Sequence, residues 1–320
     1  MALALASLLS FAPHASAQVT WQMATEYPES NISGVGLATF ARLAFAKTNG
    51  FVTARNAFDN ELKIGSGDML RAAQERRIVG GDAFAGPLEA SDPVFGLASL
   101  PFVVQSVQMA KEVNAKARPL YEKALAARGL KLLYMTIWPS TGLWSDRPLT
   151  TPDDLRSMIM RTYDYNSANV MRAVGATAEY LPFNEAIAKV KDHKLNAILS
   201  SGDGGAGRKL WDYLSYFTPI NYATPISIAF VRIDAFEALP KEVQEQVIQA
   251  AAETEKDQFE LLANRTAENY AVMRENRVNI VEPVPVAIID ALKKGAVSSV
   301  AAWKAKVSVE TAAMVDGISQ

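Results

Sequence analysis

Residues 241–276 read KEVQEQVIQAAAETEKDQFELLANRTAENYAVMREN, a run with no proline or glycine in which good helix formers dominate. As a single helix it spans ~54 Å at about 1.5 Å per residue, longer than one lobe is wide. A helix of that length can brace two lobes at once. The chain of 320 residues agrees, because it exceeds what one hydrophobic core usually supports.

The first part of the chain alternates strand and helix. Strands are predicted over 19–24, 51–57 and 78–84, with helices between them. Asn31 and Ser33 offer caps for a helix through Lys47, and Asn49-Gly50 stops it. This alternation indicates an α/β layer with parallel pairing. A helix over 107–128 leads to a fourth strand over 130–137. Residues 138–150 change character, since Trp138-Pro139-Ser140-Thr141-Gly142 is rich in turn formers, and this reads as the first crossing between lobes. A second α/β unit follows, with strands over 158–162 and 195–199 and helices over 166–174 and 184–192. Residues 202–207, GDGGAG, read as a flexible loop before a short helix through Trp211. A strand over 224–232 returns to the first lobe, and 285–316 is mostly helical. The expected division is 18–140 with 224–260 as lobe I, and 141–223 with 261–320 as lobe II.

Composition excludes several functions. Hydrophobic residues are 49% and charged residues 21%, ordinary values for a soluble globular protein. The 32 basic and 34 acidic residues are interspersed with no basic stripe, so a nucleic-acid partner is not expected. There is no cysteine, which removes disulfide and thiolate chemistry. Only His14 and His193 are available for imidazole chemistry, and His193 lies in the polar connection KDHK. No G-x-S-x-G elbow or H-E-x-x-H pair occurs. The glycine run lacks the Lys-Ser/Thr of a phosphate loop, since Arg208-Lys209-Leu210 follows it. No nucleophile or general base is on offer, and no catalytic residue, metal site or cofactor is expected.

At the N-terminus, the apolar run 3–11 and Ala15-Ser16-Ala17 before Gln18 resemble the core and cleavage site of a secretory signal peptide. The basic region that should precede them is missing, because the first Lys or Arg is Arg42, so the natural start is expected upstream. A mature chain from near Gln18, exported and not inserted in the membrane, is the expectation.

Arg161 closes the apolar strand 158–162, and in open α/β folds ligands bind beyond the carboxyl ends of strands. Its planar fork suits a carboxylate, although a surface salt bridge is the commoner fate of such a residue. Aromatic residues crowd the same loops: Tyr27, Phe84, Trp138, Trp144, Tyr163, Trp211 and Tyr213. Each could line a cleft or fill a core. Tyr27, Trp138 and Tyr163 are favoured because each follows a predicted strand.

The run 147–161, RPLTTPDDLRSMIMR, resembles the proline–DL–arginine segment of the solute-binding proteins of tripartite ATP-independent periplasmic (TRAP) transporters, of the C4-dicarboxylate-binding class. KTNG at 47–50, PVFG at 93–96, LPF at 100–102, GAT at 175–177, FNEA at 183–186 and LPKEVQ at 239–244 are similar to that family too. The resemblance implies a two-lobe periplasmic clamp of the type II-like TRAP kind, with a long helix shared by both lobes and a ligand buried at the hinge. It implies Arg161 as the carboxylate anchor, a small organic acid as ligand and TRAP membrane permease subunits as partners, for a receptor expected to be a monomer. Many members carry a second arginine where this chain has Thr141, and the position often held by a ligand-binding asparagine falls near Ser200. One arginine with Ser200 and Ser201 suits a monocarboxylate with few other polar groups, and the subgroup with a Ser-Ser-Gly segment points to an aromatic or hydrophobic one. The expected ligand residues are therefore Arg161, Ser200, Ser201, Tyr163, Trp138, Trp144, Tyr27 and Phe84. A 2-oxo, hydroxy or sugar acid receptor of the same class, or an extracytoplasmic sensor domain, is the alternative.

Overall fold

The computed structural model describes residues 18–318, so the leader-like segment 1–17 lies outside the described residues. The first half of the chain runs β1 (Val19–Thr25), α1 (Ile32–Lys47), β2 (Val52–Ala57), α2 (Met69–Gln74), β3 (Gly80–Phe84), α3 (Ala85–Leu88), α4 (Val107–Ala126) and β4 (Leu130–Ile137). There follow β5 (Thr141–Ser145), α5 (Pro152–Arg156), β6 (Ile159–Thr162), α6 (Tyr165–Ala173), β7 (Thr177–Tyr180), α7 (Phe183–Lys191), β8 (Ala197–Ser201), α8 (Gly202–Gly207) and β9 (Tyr216–Thr218). The chain closes with β10 (Ile226–Arg232), α9 (Ile233–Glu237), α10 (Lys241–Glu275), β11 (Asn279–Ile280), α11 (Val286–Lys304) and α12 (Val309–Ile318).

Two sheets result, ordered β2-β1-β3-β10-β4 and β11-β9-β5-β8-β6-β7. Each is parallel at heart and takes one strand antiparallel to both neighbours, β10 in the first and β5 in the second. Both of these strands enter directly from a crossing between lobes. Neighbours such as β3 and β8 end at the cleft, so a strand that starts there must run the other way. The crossings also pair with each other: Trp138 N–H donates to the Pro225 carbonyl at 2.9 Å and Tyr222 N–H to that of Thr141 at 3.0 Å.

Helix α10 matches the expected brace. Its Val247, Ala250 and Ala251 pack with Trp21, Leu37 and Tyr134 of the first lobe, while Met273 packs with Trp144 and Phe217 of the second. Between them, Gln258 donates its side-chain N–H to the Ile32 carbonyl at the start of α1. The C-terminal helices depart from the expected division. Helix α11 first packs Ile288 and Leu292 against α6, but further on Trp303 enters the first lobe's core and donates to the Pro93 carbonyl at 2.7 Å. Val315 of α12 joins that core too. The last turn of α11 and α12 therefore belong with the first sheet rather than with lobe II.

The glycine run also departs from expectation, being helix rather than loop. Ser201 caps it, its Oγ accepting from Gly204 N–H at 3.1 Å. Four glycines in one short helix cost about 1 kcal/mol each relative to alanine, and close packing explains them. A Cβ on Gly204 would meet Ser200 Oγ, one on Gly205 the Trp144 indole, and one on Gly207 the Asn31 side chain. No helix among the described residues is long and apolar enough to cross a membrane.

Two buried carboxyls give the fold a pH dependence. Asp82 of β3 accepts from Ser33 Oγ, and burial raises its pKa to about 7. Asp164, the cap of α6, is raised to about 6 by burial although Ser167 hydrogen bonds oppose the shift. A raised folded-state pKa means the folded protein holds the proton more tightly. The stability these groups contribute is thus full below the ordinary aspartate pKa near 4 and is lost as pH rises through about 6 and 7. Urea denaturation is expected to give a lower stability at pH 8.0 than at pH 5.5, with a smaller drop in Asp82→Asn. Equal stability at both pH values would refute this.

Candidate ligand-binding site

Arg161 sits near the end of β6, on a strand flanked by β7 and β8. Its side chain turns inward and the residue is only 3% exposed. Nε donates to the Leu181 carbonyl at 2.9 Å and Nη1 to that of Leu199 at 3.2 Å, and the guanidinium lies 4.7 Å from the centroid of Phe183. These carbonyls and the ring fix the fork's direction without neutralising it. No carboxylate among the described residues comes within 4.0 Å of it. Burial lowers the Arg161 pKa from its ordinary value, and the electrostatic influence of Tyr27 and Glu26 opposes that shift. The Glu26 carboxylate accepts from Ser66 N–H at 2.7 Å and bears on the Tyr27 hydroxyl beside the cavity, without closing to an ion pair with Arg161. A buried cation with no ion-pair partner is costly, and an anionic guest relieves that cost.

A small cavity of about 20 Å³ adjoins the guanidinium. Tyr27, Phe84 and Trp138 form its wall on the first lobe, each at or just past the carboxyl end of β1, β3 or β4. They pack as a group, with ring centroids of Tyr27 and Trp138 4.7 Å apart. Across the hinge, Tyr163 of the second lobe meets Phe84 edge-on at 5.1 Å. Trp138 Nε1 donates to Ser227 Oγ at 2.9 Å, which fixes the indole plane. Ser200 and Ser201 line the floor at the end of β8, Ser201 being partly committed to its capping bond. Burial pushes the Tyr27 and Tyr163 phenols well above their ordinary pKa, so both stay protonated. The Tyr163 hydroxyl approaches Thr141 yet is buried with no hydrogen-bond partner of ordinary geometry.

Seven of the eight expected residues therefore gather around one cavity, and Trp144 does not. It is 0% exposed, packs at a tilt against Phe217 with ring centroids 5.2 Å apart and donates to the Ser201 carbonyl at 3.2 Å, inside the second lobe's core. Thr141 does line the cavity, and so do Phe183, Gly204 and Pro225, which the sequence reading did not single out. Phe183 follows Pro182 at the start of α7, and its place at a sheet's carboxyl edge was the signal to use. Trp211 and Tyr213 lie away from the cavity, packed beside the second lobe's core. His193 is exposed, with φ of 54°. Among the described residues, no three His, Cys, Asp or Glu side chains gather as a metal site.

A model of the DctP family, bacterial extracellular solute-binding protein family 7, matches residues 23–301. No functionally curated protein matches the chain. Among solved structures, an extracytoplasmic solute receptor of Bordetella pertussis, DctP7, binding pyroglutamic acid, is 24% identical with a TM-score of 0.89, covering 94% of this chain and 100% of its own. A marine metagenome TRAP solute-binding protein with co-purified pyroglutamate is 23% identical with a TM-score of 0.88, covering 95% and 99%. A TRAP periplasmic protein from Sulfitobacter with bound β-D-galacturonate is 18% identical with a TM-score of 0.83, covering 93% and 98%. These likenesses establish the two-lobe fold, and the family is one of receptors, not enzymes. With the segment at 147–161, the long shared helix and the matched span of 23–301, the chain belongs to family 7 of the bacterial extracellular solute-binding proteins, the family of TRAP solute receptors.

Proposed function

We propose that this protein captures a compact, ring-shaped monocarboxylate between its lobes and delivers it to a TRAP membrane permease from the extracytoplasmic side. The observation that carries this reading is Arg161, buried, without an ion-pair partner, and facing a cavity. One cation asks for one carboxylate. The rings of Tyr27, Phe84, Trp138, Tyr163 and Phe183 supply flat walls, and the hydroxyls of Thr141, Ser200 and Ser201 lie among them for the guest's polar groups. The cavity holds only about 20 Å³ with the lobes together, far below the volume of a ligand pocket, so a guest enters by parting the lobes or shifting the walls, and a compact acid asks for the least of this. Pyroglutamate, the acid of two relatives above, combines one carboxylate with a small, nearly flat ring, and benzoate-like acids share both properties. A hexuronate such as the Sulfitobacter protein's ligand is bulkier, with substituents all around its ring, and asks for more room than this small cavity offers.

A thermal-shift screen of organic acids, including L-pyroglutamate, benzoate and galacturonate, tests the reading. A fitting acid at 100 times its Kd adds about 2.7 kcal/mol, or roughly 5 °C in Tm. The ring monocarboxylates are expected to stabilise and galacturonate not. A panel in which no acid raises Tm would count against a carboxylate receptor.

A further inference from the structure

Helix α8 and the residue after it reach across the cleft at both ends. At one end, Asp203 Oδ2 accepts from Ile32 N–H at 2.9 Å and from Asn31 Nδ2 at 3.1 Å. It thereby caps α1, for which the Asn31 side chain makes no capping bond of its own. Arg265 of α10 pairs with the other Asp203 oxygen and donates to the Ser30 carbonyl. At the other end, Arg208 Nη2 donates to the Glu26 carbonyl at 2.6 Å and Nη1 pairs with Asp59, both in the first lobe.

Arg208 stands between the cavity and solvent. Its guanidinium lies 5.6 Å from the centroid of Phe183, the same ring that supports Arg161. On its other side it borders an open groove that also includes Pro28, Asp59 and Lys191. Its side chain is 11% exposed, and its Nε is buried without a partner. Glu26 precedes Tyr27, a cavity wall, so the bond to the Glu26 carbonyl holds the first lobe's wall against the second lobe.

We propose that Arg208 is the retention residue of the closed clamp, tying the lobes across the cavity mouth, with Asp203 as the second tie at the far end of α8. Arg208 does not line the cavity, so it acts as a positioning residue. Gly207 serves this purpose, since a side chain there would collide with Asn31 and hold the two lobes apart. The proposal rests on the capture reading above for its use of lobe closure. Contacts that exist only when the lobes meet govern release more than encounter. Lysine in place of Arg208 keeps the charge but offers no planar fork for the Glu26 carbonyl and Asp59 together. Asp59 is an exposed partner, so its loss matters less.

The test measures association and dissociation of L-pyroglutamate by stopped-flow tryptophan fluorescence in wild type, Arg208→Ala, Arg208→Lys and Asp59→Ala. Arg208→Ala is expected to speed dissociation at least about tenfold and to change association by less than about threefold. Arg208→Lys and Asp59→Ala are expected to fall between it and wild type. A second readout needs no ligand. The chain has no native cysteine, so Glu61→Cys and Asp192→Cys place one spin label on each lobe, and Arg208→Ala is expected to lengthen their separation. Unchanged dissociation with unchanged separation overturns the proposal, as does a slowed association with normal dissociation. If the wild type ignores L-pyroglutamate, that ligand choice fails, and the tie is judged on the label separation alone: lengthened supports it, unchanged overturns it.

Discussion

Replacing Arg161 with alanine is expected to weaken ligand binding by ~2–5 kcal/mol, about 30- to 4,000-fold in Kd. The range reflects leaving a carboxylate buried and unpaired in a cavity walled by aromatic rings. The fold should survive, and without ligand it should gain stability. Removing the residue removes a buried charge with no partner, at the cost of two carbonyls, Leu181 and Leu199, losing their donor. Calorimetry and urea denaturation on the same preparation separate the two effects. A Kd changed less than threefold would deny Arg161 its role, whereas a protein that fails to fold would mark it as structural. Arg161→Lys should recover little, because one ammonium cannot reproduce the fork set by these contacts.

The two tryptophans next to the first hinge crossing should separate in kind. Trp144→Ala is expected to destabilise the protein by about 3–5 kcal/mol, the usual cost of emptying a buried aromatic site. Trp144 fills space between Phe217 and α8, so the cavity left behind loosens the second lobe, including the Gly205 contact. Trp138→Ala removes a wall of the ligand cavity, and its larger effect should fall on affinity, with Ser227 losing its donor. Equal losses of stability and of affinity in both variants would contradict the placement of Trp144 in the core and Trp138 at the ligand.

Why the sequence reveals Trp138 and hides the character of Trp144 is a matter of strand period. Trp138 comes directly after β4, and a residue just past a strand's carboxyl end faces the cleft. Trp144 lies inside β5, three residues after Thr141, so a period of two puts it on the opposite face from the cavity-lining threonine. That alternation was readable, but β5 is buried on both faces and shows no polar side to set the phase. The long helix α10 was legible because nothing in 35 residues interrupts it. The glycine helix α8 was not, because its composition argues for a loop and only tertiary contacts with Trp144, Ser200 and Asn31 explain it. Strands β7 and β9 have four and three residues, too short for a periodic signal, and exist because sheet neighbours supply their partners. The ties at Asp203 and Arg208 join residues about 170 to 180 positions apart, beyond the reach of any local pattern.

A calorimetric cycle decides whether one buried guanidinium reads the carboxylate of the guest. The acid giving the largest shift in the thermal screen and its primary amide are each titrated into wild type and into Arg161→Ala. Wild type is predicted to prefer the acid over the amide by at least about 30-fold, and the variant to show almost no preference. If the preference for the acid persisted undiminished in Arg161→Ala, some other group would be reading the charge and the account would be wrong.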